Sequence, residues 1–154
     1  MKKLITVAAL AASLSGCASL PDAVSVERTA QTTKSKDIVW SNLIEFFASE
    51  NISIKTIEKD SGIVYAERSI SGANGLSEWA TCGSAGLMAE PVRQALDLNV
   101  FVRDGGSTSE PRTSITVNTR FSETRKSAWD NTLSSVDCKS LGVLERQVQT
   151  AAIR

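Results

Sequence analysis

Leu96-Asp97-Leu98-Asn99-Val100-Phe101-Val102-Arg103 and Ile115-Thr116-Val117-Asn118-Thr119-Arg120-Phe121 decide the fold. In the first stretch Leu96, Leu98, Val100 and Val102 alternate with Asp97, Asn99, Phe101 and Arg103. In the second, Ile115, Val117, Thr119 and Phe121 alternate with Thr116, Asn118 and Arg120. Side chains of a strand point to opposite faces with period two, so each stretch has one apolar and one polar face. Two such neighbours form an antiparallel sheet with one side packed and the other in water. Asp104-Gly105-Gly106-Ser107 supplies turn chemistry and begins the loop between them.

Upstream, Ile52 to Ile57 and Ile63 to Arg68 flank Lys59-Asp60-Ser61-Gly62, which predicts a hairpin. Before it, Ser35 stands where a helix cap is expected, with Asp37 in the first turn. From there to Ser49, Val39, Leu43, Phe46 and Phe47 recur at helical spacing, with Trp40 and Ile44 beside them. Val24 to Arg28 is the expected first strand. Downstream, a helix is expected from Cys138 to Ile153, with Leu141, Leu144, Val148 and Ala152 inward. Residues 71–91 interrupt the pattern with four glycines, Trp79, Cys82, Leu87 and Met88. That is too much apolar surface for a flexible linker. The order is β-α-β-β-loop-β-β-α, an α+β fold: a single antiparallel sheet packed by two helices.

The amino terminus differs in kind. Met1-Lys2-Lys3 is cationic, Leu4 to Ala12 is apolar, and Leu14-Ser15-Gly16-Cys17 closes the run. A charged start, a short apolar core and small residues before a cut mark an export leader. The apolar run is too short for a bilayer, which takes about 20 residues. Leu14-Ser15-Gly16-Cys17 resembles the lipobox of bacterial lipoproteins, the alternative being an ordinary secretory leader that contains a cysteine. The resemblance implies cleavage before Cys17 and acylation of its sulfur, palmitate included. Ala18, where an Asp would imply inner-membrane retention, implies the outer membrane, with the domain in the periplasm. The expected organisation is a leader at 1–16, a lipidated tether at 17–23 and a single α+β domain at 24–154.

With Lys2 and Lys3 gone, the 17 basic side chains of the full sequence become 15, against 17 acidic, a formal charge of −2. No basic footprint for nucleic acid or anionic lipid remains, so nucleic acid is not an expected partner. Two cysteines also remain, Cys82 and Cys138. In an oxidising compartment they are expected to pair, the alternative being two free buried thiols.

The chain has no histidine. Histidine acid–base catalysis, Ser-His and Cys-His pairs and imidazole ligands are therefore unavailable to it. No lysine follows a serine by three residues, and Cys82-Gly83-Ser84-Ala85-Gly86 does not fit G-x-S-x-G. The carboxylates at Asp97, Asp104, Glu110, Glu123, Asp130 and Asp137 lack calcium-loop spacing. Neither an enzyme, nor a metal site, nor a cofactor is expected.

What is left is surface. Trp79 and Trp129 either form a docking patch on loops drawn together by the cysteines, or plug the open end of the core. Phe101, an aromatic on the polar sheet face, is a further candidate partner contact. Two functions fit: a non-catalytic interaction or accessory module that binds an envelope protein, or a module that binds a small molecule or lipid between sheet and helix.

The leading helix with Trp40 and Phe46-Phe47, followed by the hairpin through Ile57-Glu58-Lys59-Asp60-Ser61-Gly62-Ile63, resembles the helix-grip domains of BamC-type lipoproteins. These are accessory subunits of the outer-membrane β-barrel assembly machinery. The resemblance spans residues 24–121 and implies a helix-grip domain with an accessory role. That family carries two such domains, and this chain has room for one.

Overall fold

The structure, a computed structural model, describes residues 25–107 and 110–154. The expected leader, the tether and Cys17 lie outside the described residues.

One antiparallel sheet and two helices make up the described chain. The strands are β1 (Thr29–Thr32), β2 (Ser53–Glu58), β3 (Ile63–Ser71), β4 (Ala80–Thr81), β5 (Ala89–Ser107), β6 (Glu110–Ser127) and β7 (Leu133–Ser140). Helix α1 (Lys36–Ser49) follows β1, and α2 (Val143–Ala152) ends the chain. The sheet order is β2-β3-β5-β6-β7-β4, with β1 also paired to β6. The α+β expectation is met.

The two alternating stretches lie at the centre of the sheet. Leu96 pairs with Phe121, Leu98 with Thr119, Val100 with Val117 and Val102 with Ile115. Apart from Thr119, these side chains are buried on one face. Val39, Trp40, Leu43 and Phe47 of α1 cover them, together with Leu144, Val148 and Ala152 of α2. Each such buried apolar side chain contributes roughly 1.5–3 kcal/mol by leaving water. Helix α1 begins at Ser35, whose extended backbone caps without a side-chain hydrogen bond. It stops at Asn51, which takes a left-handed φ of 53° and lets Ile52 N donate to Phe47 O at 3.0 Å. In the β2–β3 turn Gly62 has φ +70°, and a Cβ there would strike Val102 O. Glycine is required at that position on both counts.

Four expectations need correcting. The first strand among the described residues is Thr29–Thr32 rather than Ser25–Arg28, because β1 is set by pairing with Thr113–Thr116 on β6, while Val24, the start of the expected strand, lies outside the described residues. The two central strands run well past their alternating cores. Asp104 to Ser107 continues β5, in register with Thr113 to Glu110. Residues 71–91 are not wholly a loop, since Ala80 and Thr81 pair with Ser140 and Lys139 as β4. Lastly, Cys138 does not start a helix. It lies in β7, opposite Phe121, and α2 begins only at Val143. Gly142, at φ 71°, breaks the chain between them. Strand β7 is largely exposed and polar, and only Val136 and Cys138 alternate with polar neighbours, too short a run to mark a half-buried strand.

Candidate interaction surfaces

Both helices lie on one side of the sheet, leaving the other side open. The open face carries Tyr65, Asp97, Asn99, Phe101, Arg103, Thr116, Asn118 and Arg120. Phe101 stands opposite Ile63 on β3 and Thr116 on β6, half-buried, with the Arg103 guanidinium 5.8 Å from its ring centroid. The Tyr65 hydroxyl donates to Asp97 Oδ1 at 3.2 Å. The negative charge of Asp97 pushes the phenol pKa up, and the hydrogen bond adds to it. Lys55 pairs with Glu67 at 2.8 Å, and Arg120 with Asp137 at 3.0 Å. Exposed pairs like these contribute about 0–1 kcal/mol, so they shape the surface more than they stabilise it. The expected placement of Phe101 is found: an accessible ring among charges.

The two tryptophans part company. Trp79 is fully buried (0 % exposed), so it is no partner contact. Its Nε1 donates to Gln147 Oε1 at 2.9 Å, and the Arg68 guanidinium sits 5.3 Å from its ring centroid. Its carbonyl accepts from Leu141 N at 2.8 Å. Of the two readings, Trp79 takes the plug and Trp129 does not: the Trp129 side chain is 78 % exposed. Trp129 sits in the β6–β7 turn, which Asp130 organises by accepting from Thr132 N at 3.1 Å and Thr132 Oγ1 at 2.8 Å.

Trp129 has apolar company. Leu87 is 99 % exposed, Leu133 66 % and Met88 49 %. Backbone register puts all four at one end of the sheet. Ala89 pairs with Ser127, Leu133 pairs with Lys126, and Ala128 N donates to Met88 O at 3.0 Å. Single exposed apolar side chains are ordinary, but a local concentration of large ones marks a contact surface. Leu87, Met88 and Leu133 were not singled out by sequence as contacts. The signal available was two large apolar residues directly after Gly86, and it read equally well as core.

A polar brace holds residues 73–84 against the sheet. Gln94, buried on β5, donates from Nε2 to Ala73 O at 2.5 Å and to Glu123 Oε2 at 2.8 Å. Its Oε1 accepts from Leu76 N at 3.0 Å. Glu123 Oε1 accepts from Arg125 Nε at 2.7 Å, and Arg125 Nη2 donates to Cys82 O at 2.6 Å. The Cys82 and Cys138 sulfurs are 2.04 Å apart, the disulfide distance. An unsatisfied buried polar group is costly, and here Gln94 and Arg125 satisfy the backbone of the segment they fix. Sequence gave no sign of this. Gln94 and Glu123 occupy core-facing positions, where polar residues are not expected.

Among the described residues no group of three His, Cys, Asp or Glu side chains could hold a metal ion. No described helix is long and apolar enough to cross a membrane. Clefts run over the outer side of the helices, lined by Asn42, Glu45, Phe46 and Ala151, and beside β7, lined by Val26, Arg28, Asp137 and Glu145. The space between sheet and helices is filled by Trp79, Phe47, Phe121 and Leu43. No protein-family model matches the chain, and no curated protein matches it.

Proposed function

We propose that the protein is an outer-membrane lipoprotein, held by acyl chains on Cys17, that works in the periplasm as a non-catalytic interaction module. The observation that carries this reading is the open sheet face, which no described helix covers and on which Phe101 stands among Asp97, Asn99, Arg103 and Arg120. The other exposed apolar surface lies not in a cleft but at one end of the sheet, at Leu87, Met88, Trp129 and Leu133. The leader and lipobox supply the address, and a protein tied to a membrane meets its partners at high effective concentration. The resemblance to BamC-type domains agrees with an accessory role.

Binding of a small molecule or lipid inside the fold is the other reading. It would need space between sheet and helices, where large side chains now meet. The interaction reading is therefore preferred.

The test has two arms. Metabolic palmitate labelling is expected to mark the chain, and Cys17→Ser to abolish the label. Crosslinking in intact envelopes followed by affinity purification is expected to recover a stoichiometric envelope protein, and Phe101→Ala to reduce that recovery several-fold. An unlabelled chain sinks the anchor. A labelled chain that crosslinks to no protein sinks the adaptor role.

A further inference from the structure

We propose that the apolar end of the sheet is a membrane-contact surface: Leu87, Trp129, Leu133 and Met88 seat in the interfacial region of the leaflet that holds the acyl chains on Cys17. The inference rests on the reading of Cys17 as lipidated and names what this end of the domain meets.

Chain direction is the first argument. Strand β1 is antiparallel to β6, with Thr29 beside Thr116, and Arg28 O accepts from Val117 N at 2.8 Å. Traced backward from Thr29, the chain follows β6 as far as Val117, in the direction of Ser127 and the exposed apolar residues, and then leaves the edge that β7 occupies from Phe121 onward. Val26 already shares a cleft with Thr119, Phe121 and Ser140. The described chain therefore begins pointed at the apolar end.

Reach is the second. From the level of Arg120 to Ser127 is seven residues of strand, about 23 Å at the usual rise. Cys17 and Ser25 are eight residue steps apart, which can span at most about 26–29 Å. The plane of the apolar end is thus within reach of the sulfur.

Chemistry is the third. Indole rings are favoured at the boundary between water and acyl chains, being apolar in body and polar at one edge. Leucine and methionine favour the same boundary from the apolar side. The nearby charges, Glu90, Lys126 and Asp130, are of mixed sign, so contact needs no anionic lipid. A stable protein interface takes about 20–30 residues a side, far more than the four side chains at this turn. A bilayer sets no such minimum, because the acyl chains already hold the protein there. The strands then stand away from the membrane, and the face with Phe101 is turned sideways to a protein partner.

The lipidated full-length protein, purified from its host, is reconstituted into phosphatidylcholine vesicles with and without acyl-chain-brominated phosphatidylcholine. Bromine quenches indole emission only at close range. Wild-type emission is expected to fall in brominated vesicles, Trp129→Phe to abolish that fall, and Leu87→Ser to weaken it. Trp40 and Trp79, both buried, serve as unresponsive internal controls. A chain that floats with the vesicles yet emits equally in both keeps its anchor and overturns the inference. So does a photo-crosslinker at position 87 that captures one envelope protein in cells rather than lipid. A chain that takes no palmitate label and does not float fails at the anchor itself, and the inference falls with it.

Discussion

Trp79 and Trp129 have the same side chain, sit in similar loop-like sequence and occupy opposite extremes of exposure. Trp79 is fully enclosed, its indole nitrogen donating to Gln147 and its ring capped by Arg68. Trp129 stands 78 % exposed on a turn. The difference lies in what the flanking chain is tied to. The segment around Trp79 is held by Gln94, Glu123 and Arg125 and by Cys82 beside Cys138, so it lies down on the core. The turn around Trp129 is closed by Asp130 and Thr132, is tied outward by the backbone bond from Ala128 N to Met88 O, and lies beyond the last apolar core pair, Leu96 and Phe121. An indole is therefore enclosed or left exposed according to the tethers of its neighbours.

The largest test of that contrast is paired truncation. Trp79→Ala is expected to cost about 3–5 kcal/mol, as for large buried aromatics, and Trp129→Ala no more than about 0.5 kcal/mol. Urea unfolding of both variants checks this. Equal losses would break the contrast.

A smaller effect should follow from the tether itself. Replacing Cys82 and Cys138 together by alanine is expected to cost about 2–4 kcal/mol and to raise protease sensitivity within residues 72–88. The β6–β7 turn should keep its protection. Limited proteolysis mapped by mass spectrometry reads both segments at once.

The smallest effect is a pH response confined to the exposed turn. Hydrogen bonding from Ser127, and then from Thr132, holds the Asp130 carboxyl below its ordinary value. A depressed carboxylate adds stability that is fully present above the unfolded pKa, about 3.9, and is lost as pH falls through the lower folded value. Amide protection at Thr132 should therefore be constant from neutrality to about pH 4 and fall only below it. Asp130→Asn should remove the dependence. Loss of protection already near neutral pH would show that the carboxylate does not hold the turn.

Much of the fold was legible because it follows from periodicity. The period-two runs around Leu98 and Val117 and the helical face of Val39, Leu43 and Phe47 each need burial on one side, and an antiparallel sheet under helices provides it. Strand β7 was not legible, since Leu133 to Ser140 is mostly exposed and polar and its apolar alternation is confined to Val136 and Cys138. Its loss from the reading also moved Cys138 from strand to helix. The Gln94–Glu123–Arg125 brace was hidden for another reason. Polar residues at core-facing positions make sense only when the backbone they satisfy arrives from about 20–40 residues away, a separation that local patterning does not see.

The sequence by itself determined the α+β class, the two central strands, the first helix and hairpin, the absence of histidine chemistry and the expected address set by Leu14-Ser15-Gly16-Cys17. Only the tertiary structure decided which tryptophan is core, that Cys138 stands beside Cys82 from a strand, and that Leu87, Met88, Trp129 and Leu133 gather at one end of the sheet. Periodicity records which face of an element needs cover. It does not record which distant segment supplies the cover, because that is settled by strand register and by hydrogen bonds between residues far apart in the chain.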